Sequence, residues 1–374
     1  MEYKVISFYK YIEIENPLSL REEIYNKCKQ LDIFGRILIG EEGINCAVFG
    51  KIKYIEEFKK FILNNKLFSD LTFREQENNF KTYHKLVVRV RKEIVHFGHK
   101  IDVNKMAQHI SPKELKECLD KKENILLIDA RNNYETAVGK FKNAKTLPIE
   151  TFREFPYAIN KLNLKNKEKV VLYCTGGIRC EKASAYLKQQ GYENVYQLQG
   201  GIINYVNQFP DTYFEGSCFV FDDRITFKAG NNIIAECEIC GNKCDDYINC
   251  HNLDCDKLFI SCNSCQEKLK KHCSEKCMNA KRHRKEPEKS YTIIGFVSNL
   301  FKRKNIVETK LINGAIKIND KVYFRNRKNE EFCEEIKELR DANCTPIDNA
   351  KEGDIVTFPV KHGIKKNYKI LLYN

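Results

Sequence analysis

Three things are missing from these 374 residues, and each absence removes a class of function. No run of about 18 apolar residues occurs, which excludes a helix able to span a bilayer and leaves no membrane partner. The start, Met1-Glu2-Tyr3-Lys4, lacks the charged-then-apolar pattern of a secretory leader, so the expected location is the cytoplasm. No motif for an organic redox cofactor is visible, so no organic cofactor is evident and the electron donor is left open.

What is present points the same way. The hydrophobic content of 42% is that of a soluble chain, and the length suits two or three domains with separate cores. The net charge of +13, from 64 Lys and Arg against 51 Asp and Glu, favours a polyanionic partner. Of the seventeen cysteines, nine fall between Cys237 and Cys277, eight of them in close pairs. In a reducing compartment that clustering indicates metal rather than disulfides.

The rest is organised around Leu172-Tyr173-Cys174-Thr175-Gly176-Gly177-Ile178-Arg179-Cys180-Glu181-Lys182-Ala183. An apolar run, Val170 to Tyr173, ends in a cysteine, two glycines free the backbone, and a helical pattern follows. That order reads strand, tight loop, helix. Backbone N–H groups of Thr175, Gly176, Gly177 and Ile178 at such a helix start, with Arg179, favour negative charge, so Cys174 is expected to be a thiolate.

Residues 1–100 read as an α/β unit in the order βαββαβ, closing with a strand over Tyr83–Val90, which predicts a ferredoxin-like sandwich. Period-two alternation places Val88 and Val90 on one face and Arg89 and Arg91 on the other. With Lys85 and Lys92 this makes a basic stripe, read either as phosphate contact or as a solvated face. The turn Gly40-Glu41-Glu42-Gly43 reads as a plain hairpin connection.

Residues 101–215 alternate strands and helices, which implies a parallel sheet covered on both faces with ligands at the strands' carboxyl ends. Ser111 and Pro112 mark a helix start, a helix is expected near Ile149–Asn160, and Cys174 sits at a strand end. In 216–280, Cys237 and Cys240, Cys250 and Cys255, Cys262 and Cys265, and Cys273 and Cys277 form four short-spaced pairs, enough for two closed tetrahedral zinc sites of structural type. Cys244 and His251 are spare ligands, and spacing leaves open which pairs share a metal. An iron–sulfur cluster is the alternative occupant. A charged linker, Lys281 to Lys289, precedes 290–374, where short strands and the turns Asn319-Asp320 and Gly353-Asp354 predict a small β-barrel.

Asp129-Ala130-Arg131 followed by Glu135, the Cys174-to-Arg179 loop and the Gly200-Gly201 turn resemble a rhodanese domain. The resemblance implies a loop sized for sulfur, since related phosphatases use a loop one residue longer. It also makes Asp129, Arg131 and Glu135 scaffold or pocket-wall groups. The C-terminal pattern resembles domain 2 of translation factors and the terminal barrel of collagenase-like peptidase relatives.

Taken in order, Gly40-Glu41-Glu42-Gly43-Ile44-Asn45, Arg91-Lys92-Glu93-Ile94-Val95, the Cys174 loop and Val220-Phe221-Asp222-Asp223-Arg224 resemble the bacterial oxygen-dependent tRNA uridine(34) hydroxylases. The resemblance implies conversion of the wobble uridine to 5-hydroxyuridine with molecular oxygen as co-substrate, and tRNA, through its anticodon stem-loop, as partner. It suggests a Cys174 thiolate or persulfide acting on the base, Arg179 stabilising charge and Cys180 as second redox thiol, with Lys85, Arg89, Arg91 and Lys92 as RNA contacts. The competing readings are a sulfurtransferase carrying a Cys174 persulfide and a non-catalytic tRNA-binding zinc protein. The barrel is expected to be an added tRNA contact, or else a structural cap.

Overall fold

In the computed structural model the chain forms two compact units, Met1–His283 and Arg284–Asn374. The structure describes residues 2–78, 81–162, 164, 168–284, 291–301, 304–326, 330–361 and 363–373. Of the charged linker, Lys285 to Lys289 lie outside the described residues.

The first unit opens with β1 (Tyr3–Tyr11), α1 (Pro17–Gln30), β2 (Phe34–Gly40), β3 (Gly43–Lys51), α2 (Ile52–Leu63), β4 (Arg74–Asn78) and β5 (Leu86–Val90). Helix α1 starts where Asn16 accepts a hydrogen bond from the Ser19 N–H at 3.0 Å and Pro17 presets the first turn. Alternate residues Ile6 and Phe8 of β1, Ile37 and Ile39 of β2 and Cys46 and Val48 of β3 bury one sheet face. Against it lie Leu20, Ile24 and Cys28 of α1 and Ile55, Phe58 and Ile62 of α2, at helical spacing. The sheet order is β4-β1-β3-β2-β5.

This is the ferredoxin-like arrangement with one correction. The strand that closes it on β1 is Arg74–Asn78, whereas Leu86–Val90 is an added edge strand parallel to β2. Arg-Glu-Gln-Glu-Asn carries no apolar alternation, so a strand held by its backbone ladder left no pattern to read.

Next come β6 (Gln108–Ile110), α3 (Pro112–Asp120), β7 (Ile125–Asp129), α4 (Asn133–Val138), β8 (Gly139–Phe141), β9 (Lys145–Thr146), α5 (Phe155–Asn160), β10 (Lys169–Tyr173), α6 (Ile178–Gln189), β11 (Val195–Leu198) and α7 (Gly201–Gln208). The parallel sheet runs β6-β11-β10-β7-β9 with β10 in the middle. Val170 and Leu172 enter the core on one side of it, Val171 and Tyr173 the core on the other. The doubly covered sheet is therefore as expected. The helix expected from Ile149 begins only at Phe155, because Glu154 folds back onto the Glu150 N–H and the Thr151 hydroxyl and makes a single tight turn first.

Strands β12 (Phe214–Phe219) and β13 (Thr226–Lys228) extend β8 into a small antiparallel sheet. The cysteine-rich tail adds the hairpin β14 (Tyr247–Asn249) and β15 (Leu258–Ile260) and two short helices, α8 (Asn263–Lys268) and α9 (Glu275–Met278).

The second unit is a strand-rich half-barrel: β16 (Tyr291–Phe301), β17 (Ile306–Leu311), β18 (Ala315–Lys317), β19 (Lys321–Arg325), β20 (Glu331–Glu335), β21 (Asn349–Lys351), β22 (Ile355–Pro359) and β23 (Lys369–Tyr373). Six strands run antiparallel in the order β20-β19-β23-β16-β17-β22, around Val297, Val307, Phe324, Phe358 and Ile370. Two register shifts in β16, at Ile293/Gly295 and Val297/Asn299, bend the sheet.

Candidate active site

Cys174 follows the last residue of β10, and its geometry comes from two glycine turns. At Gly177 the backbone is left-handed (φ 97°), which turns its N–H back onto the Cys174 sulfur at 3.1 Å and starts α6. Gly200 and Gly201, also at positive φ, bring the start of α7 against the loop, so that the Ile202 N–H donates to the Cys174 carbonyl at 3.0 Å. A Cβ on Gly201 would lie 2.4 Å from that carbonyl oxygen, so a larger residue would push the loop out of place. The thiol itself is 1% exposed. Burial pushes its pKa up, but the Cys180 thiol donating to it, the Arg179 charge and the Arg179 and Gly177 N–H groups outweigh that and hold it at about 5. Cys180 is driven the opposite way, well above the usual range, by burial and by donating to Cys174. The pair is thus one thiolate and one thiol at neutral pH.

The loop's own arginine is occupied. Arg179 places Nη1 and Nη2 on the two oxygens of Glu135 at 2.5 and 2.7 Å, with both groups buried. Burial would raise the Glu135 carboxyl, and Arg179 more than reverses it. Arg131 is paired elsewhere: its Nε and Nη2 hold Asp129 at 2.9 and 2.7 Å, and Nη2 also donates to the Gly139 carbonyl at 2.6 Å. Asp129 and Arg131 therefore brace the strand end from inside, while Glu135 sets the position of Arg179.

The N-terminal sheet closes over this loop and forms with it a cleft of about 1630 Å³. Several residues that do this were missed by sequence reasoning. Glu181 and Lys182 are buried at the start of α6. Glu181 accepts from Tyr9 Oη at 2.9 Å, His109 Nε2 at 3.1 Å and Gln197 Nε2 at 2.7 Å. Lys182 donates to Glu42 at 2.9 Å and to the Val95 carbonyl at 3.1 Å. The hairpin turn read as a plain connection thus supplies, through Glu42, an ion pair between domains. Arg224 likewise reaches Gln76 at 3.0 Å. Arg74 lies over the Tyr9 ring, 5.1 Å from its centroid, beside Gly176. The sequence offers one hint, the adjacent charges Glu181 and Lys182 between Cys180 and Ala183.

Of the four candidate RNA contacts, Arg91 and Lys92 line the cleft together with Arg36, Lys100 and Arg153. Lys85 instead borders a separate hollow with Tyr25 and Cys28, and Arg89 is exposed on β5 outside the residues lining the cleft.

The cysteine-rich tail brings its pairs together in alternation. Cys237, Cys240, Cys262 and Cys265 form one group and Cys250, Cys255, Cys273 and Cys277 the other, each with its sulfurs within 4.8 Å of one another. First and third pairs, and second and fourth, therefore share a site, as β14 and β15 and the turns around them interleave. Either group can hold a metal ion. Sulfur separations of 3.6 Å (Cys240 to Cys262), 3.8 Å (Cys255 to Cys273) and 3.6 Å (Cys273 to Cys277) are far from the roughly 2.05 Å of a disulfide. Cys244 and His251 belong to neither group.

Comparison with known proteins follows the same divisions. Family descriptions match residues 3–94 (UPF0176 acylphosphatase like domain), 111–208 (rhodanese-like domain) and 215–278 (rhodanase C-terminal). A protein of Cytophaga hutchinsonii named tRNA uridine(34) hydroxylase is 40% identical over 281 residues, 74% of this chain and 90% of that one. One of the same name from Leptospira interrogans is 38% identical over 315 residues, 82% of this chain and 86% of the other. Among solved structures, the C-terminal domain of a putative U32 peptidase from Geobacillus thermoleovorans is similar at 22% identity over 21% of this chain and 96% of that one, with a TM-score of 0.20.

Proposed function

The chain belongs to the tRNA uridine(34) hydroxylase family, and from that premise we propose that it converts the wobble uridine of tRNA to 5-hydroxyuridine, using Cys174, Cys180 and molecular oxygen. The observation that carries this is the two-thiol site: a Cys174 thiolate with a pKa of about 5, lining a cleft with basic groups, and the buried, protonated Cys180 thiol bonded to it.

The chemistry balances with these two cysteines. The Cys174 thiolate adds to C6 of uracil, and the electron pair displaced onto C5 and O4 reacts with dioxygen at C5 to give a hydroperoxide. Cys180 takes the terminal oxygen as a sulfenic acid, leaving oxygen on C5. Loss of the C5 proton and cleavage of the C6–sulfur bond restore the ring as 5-hydroxyuracil and free Cys174. That thiolate then condenses with the sulfenic acid to a disulfide and water. In sum, one C5–H, one dioxygen and two thiols give one C5–OH, one water and one disulfide, which a cellular thiol resets.

The substrate fits the cleft. A wobble base sits in a single-stranded loop, so little unpairing energy opposes its entry into a pocket. Arg36, Arg91, Lys92, Lys100 and Arg153 supply phosphate contacts for the anticodon stem. In the second unit a row across the sheet, Ile355, Lys310, Phe296, Lys369 and Arg325, offers an exposed ring flanked by cations, which suits an added RNA contact. Among the described residues, no helix is long and apolar enough to cross a membrane. We place the protein in the cytoplasm with its substrate.

The two four-cysteine groups are assigned structural Zn²⁺. A tetrahedron with Zn–S bonds of about 2.3 Å has edges of about 3.8 Å, which the sulfur separations of 3.6 to 3.8 Å match. All four ligands of each ion come from the chain, so the metal contributes folding energy and takes no part in catalysis.

The deciding experiment incubates purified protein with undermodified tRNA, with and without oxygen, and analyses nucleosides by mass. 5-Hydroxyuridine is expected in air, not under anaerobic conditions, and not with Cys174→Ser. Product unchanged in Cys174→Ser would sink the reading, and thiouridine formed from a sulfur donor would favour sulfur transfer instead.

A further inference from the structure

We propose that Arg74, contributed by the N-terminal domain, is the group that donates to the uracil carbonyl oxygen made negative when Cys174 adds to the ring. This rests on the hydroxylase reading above. Addition of a thiolate to C6 turns the conjugated C4 carbonyl into an enolate oxygen, and catalysis needs a donor fixed where that charge develops. In the Cys174 loop the side-chain cation is already committed, and so is one backbone donor. Its Gly177 N–H is directed at the sulfur, and both outer nitrogens of Arg179 are bound to Glu135. Arg224, also on the cleft wall, is held by Asp222.

Arg74 differs from all of these. Among the described residues it makes no ion pair, and its one side-chain hydrogen bond, Nε to Ser7 Oγ, is long at 3.4 Å. Yet its guanidinium is held in place. It lies over the Tyr9 ring, 5.1 Å from the centroid, and Tyr9 is itself anchored through its hydroxyl to buried Glu181 at 2.9 Å. Beside it stands Gly176, two residues after Cys174. A Cβ there would lie 3.6 to 3.8 Å from Arg74 Nε, Cζ and Nη2, ordinary contact distance, which places the fork against the loop. Arg74 and Cys174 both line the cleft. A planar cation next to the nucleophile, fixed by an aromatic face and facing no carboxylate, is arranged to receive charge that appears only during reaction.

The test uses the full-length protein in excess over a tRNA transcript, with the rate of 5-hydroxyuridine formation at saturation and the tRNA affinity measured separately. Arg74→Met keeps a stem over Tyr9 and removes the charge, and Arg74→Lys restores a cation without the fork. For Arg74→Met the saturated rate is expected to fall about 100-fold or more, with affinity within about threefold of wild type. Arg74→Lys should recover part of the loss. The rate at which a small alkylating reagent labels Cys174 should be unchanged in both, which shows that the loop is intact. Should Arg74→Met fail to fold, Arg74→Gln and Arg74→Lys are read by the same criteria.

A saturated rate within threefold of wild type overturns the proposal. So does a loss confined to affinity, with the salt dependence reduced by about one phosphate contact, since that makes Arg74 a backbone ligand. Altered Cys174 labelling overturns it too, by making the residue a support of the loop. Absence of 5-hydroxyuridine with the wild-type protein defeats the hydroxylase reading itself, whereas wild-type activity matched by Arg74→Met defeats only the role of Arg74.

Discussion

Two sets of cysteines in this chain meet opposite fates. Cys174 and Cys180 lie where a strand turns into a helix, buried and touching, and the structure splits them into a thiolate and a thiol. Eight of the nine cysteines of the tail are gathered from turns and short helices into two groups whose sulfurs face one another. Other buried thiols have neither arrangement: burial alone pushes Cys28 up to about 12, which leaves it an inert apolar side chain. What separates the classes is the set of donors around the sulfur. A thiolate stabilised by N–H, S–H and a cation remains available to a substrate, whereas four thiolates need a metal to sit together at all.

Removing the metal is the largest perturbation that tests this contrast. Native mass spectrometry should find two zinc ions per chain, and Cys250→Ser should lose one of them. Because structural zinc contributes roughly 10 kcal/mol or more of apparent binding energy, that variant should also unfold its tail, seen as protease cleavage within 237–283. The Cys174 site should keep its labelling behaviour in the folded remainder. A tail that stays resistant without metal would refute the structural assignment.

A smaller effect is expected behind the loop. Glu135→Gln leaves Arg179 buried with half its partner, and loss of one member of such a pair destabilises by about 3–5 kcal/mol, measurable in urea. Since the Glu135 carboxyl is held below its usual range, the pair's contribution is present at neutral pH and is lost as pH falls through that lowered value. The variant should flatten this acid limb of the stability curve. An unchanged urea midpoint would show that Glu135 does not hold Arg179.

The third expectation leaves stability alone. Labelling of Cys174 requires the thiolate, whose fraction rises with pH through the folded value, so the rate should be half-maximal near pH 5 and level above about pH 6. Peptide mass spectrometry distinguishes it from Cys180, which should stay unlabelled across the same range. A half-maximal rate near the ordinary thiol value would remove the distinction between the two cysteine sets.

How much of this was legible in advance varies by element. The strand, loop and helix around Cys174 were readable because each signal is local: Val170 to Tyr173 are buried on both sides, and Gly177 serves the turn. The polar strand Arg74–Asn78 was not, since its pairing with β1 depends on backbone bonds that leave no side-chain pattern. Arg179 is placed in the loop by its neighbours, but its occupation by Glu135 is not legible, because the two residues stand 44 positions apart and meet only in the folded domain.

The order of residues along the chain was enough to specify a thiol at a helix start, four cysteine pairs with metal-ligand spacing and an alternation that builds a parallel sheet. Those features depend on neighbours a few residues apart, where backbone sterics and periodicity leave little choice. Which cysteine pairs come together, that Arg179 is taken up by Glu135, and that Tyr9 and Arg74 close over the Cys174 loop were decided by packing. Such contacts join residues far apart in the chain, and their energy exists only once two folded surfaces have excluded water between them.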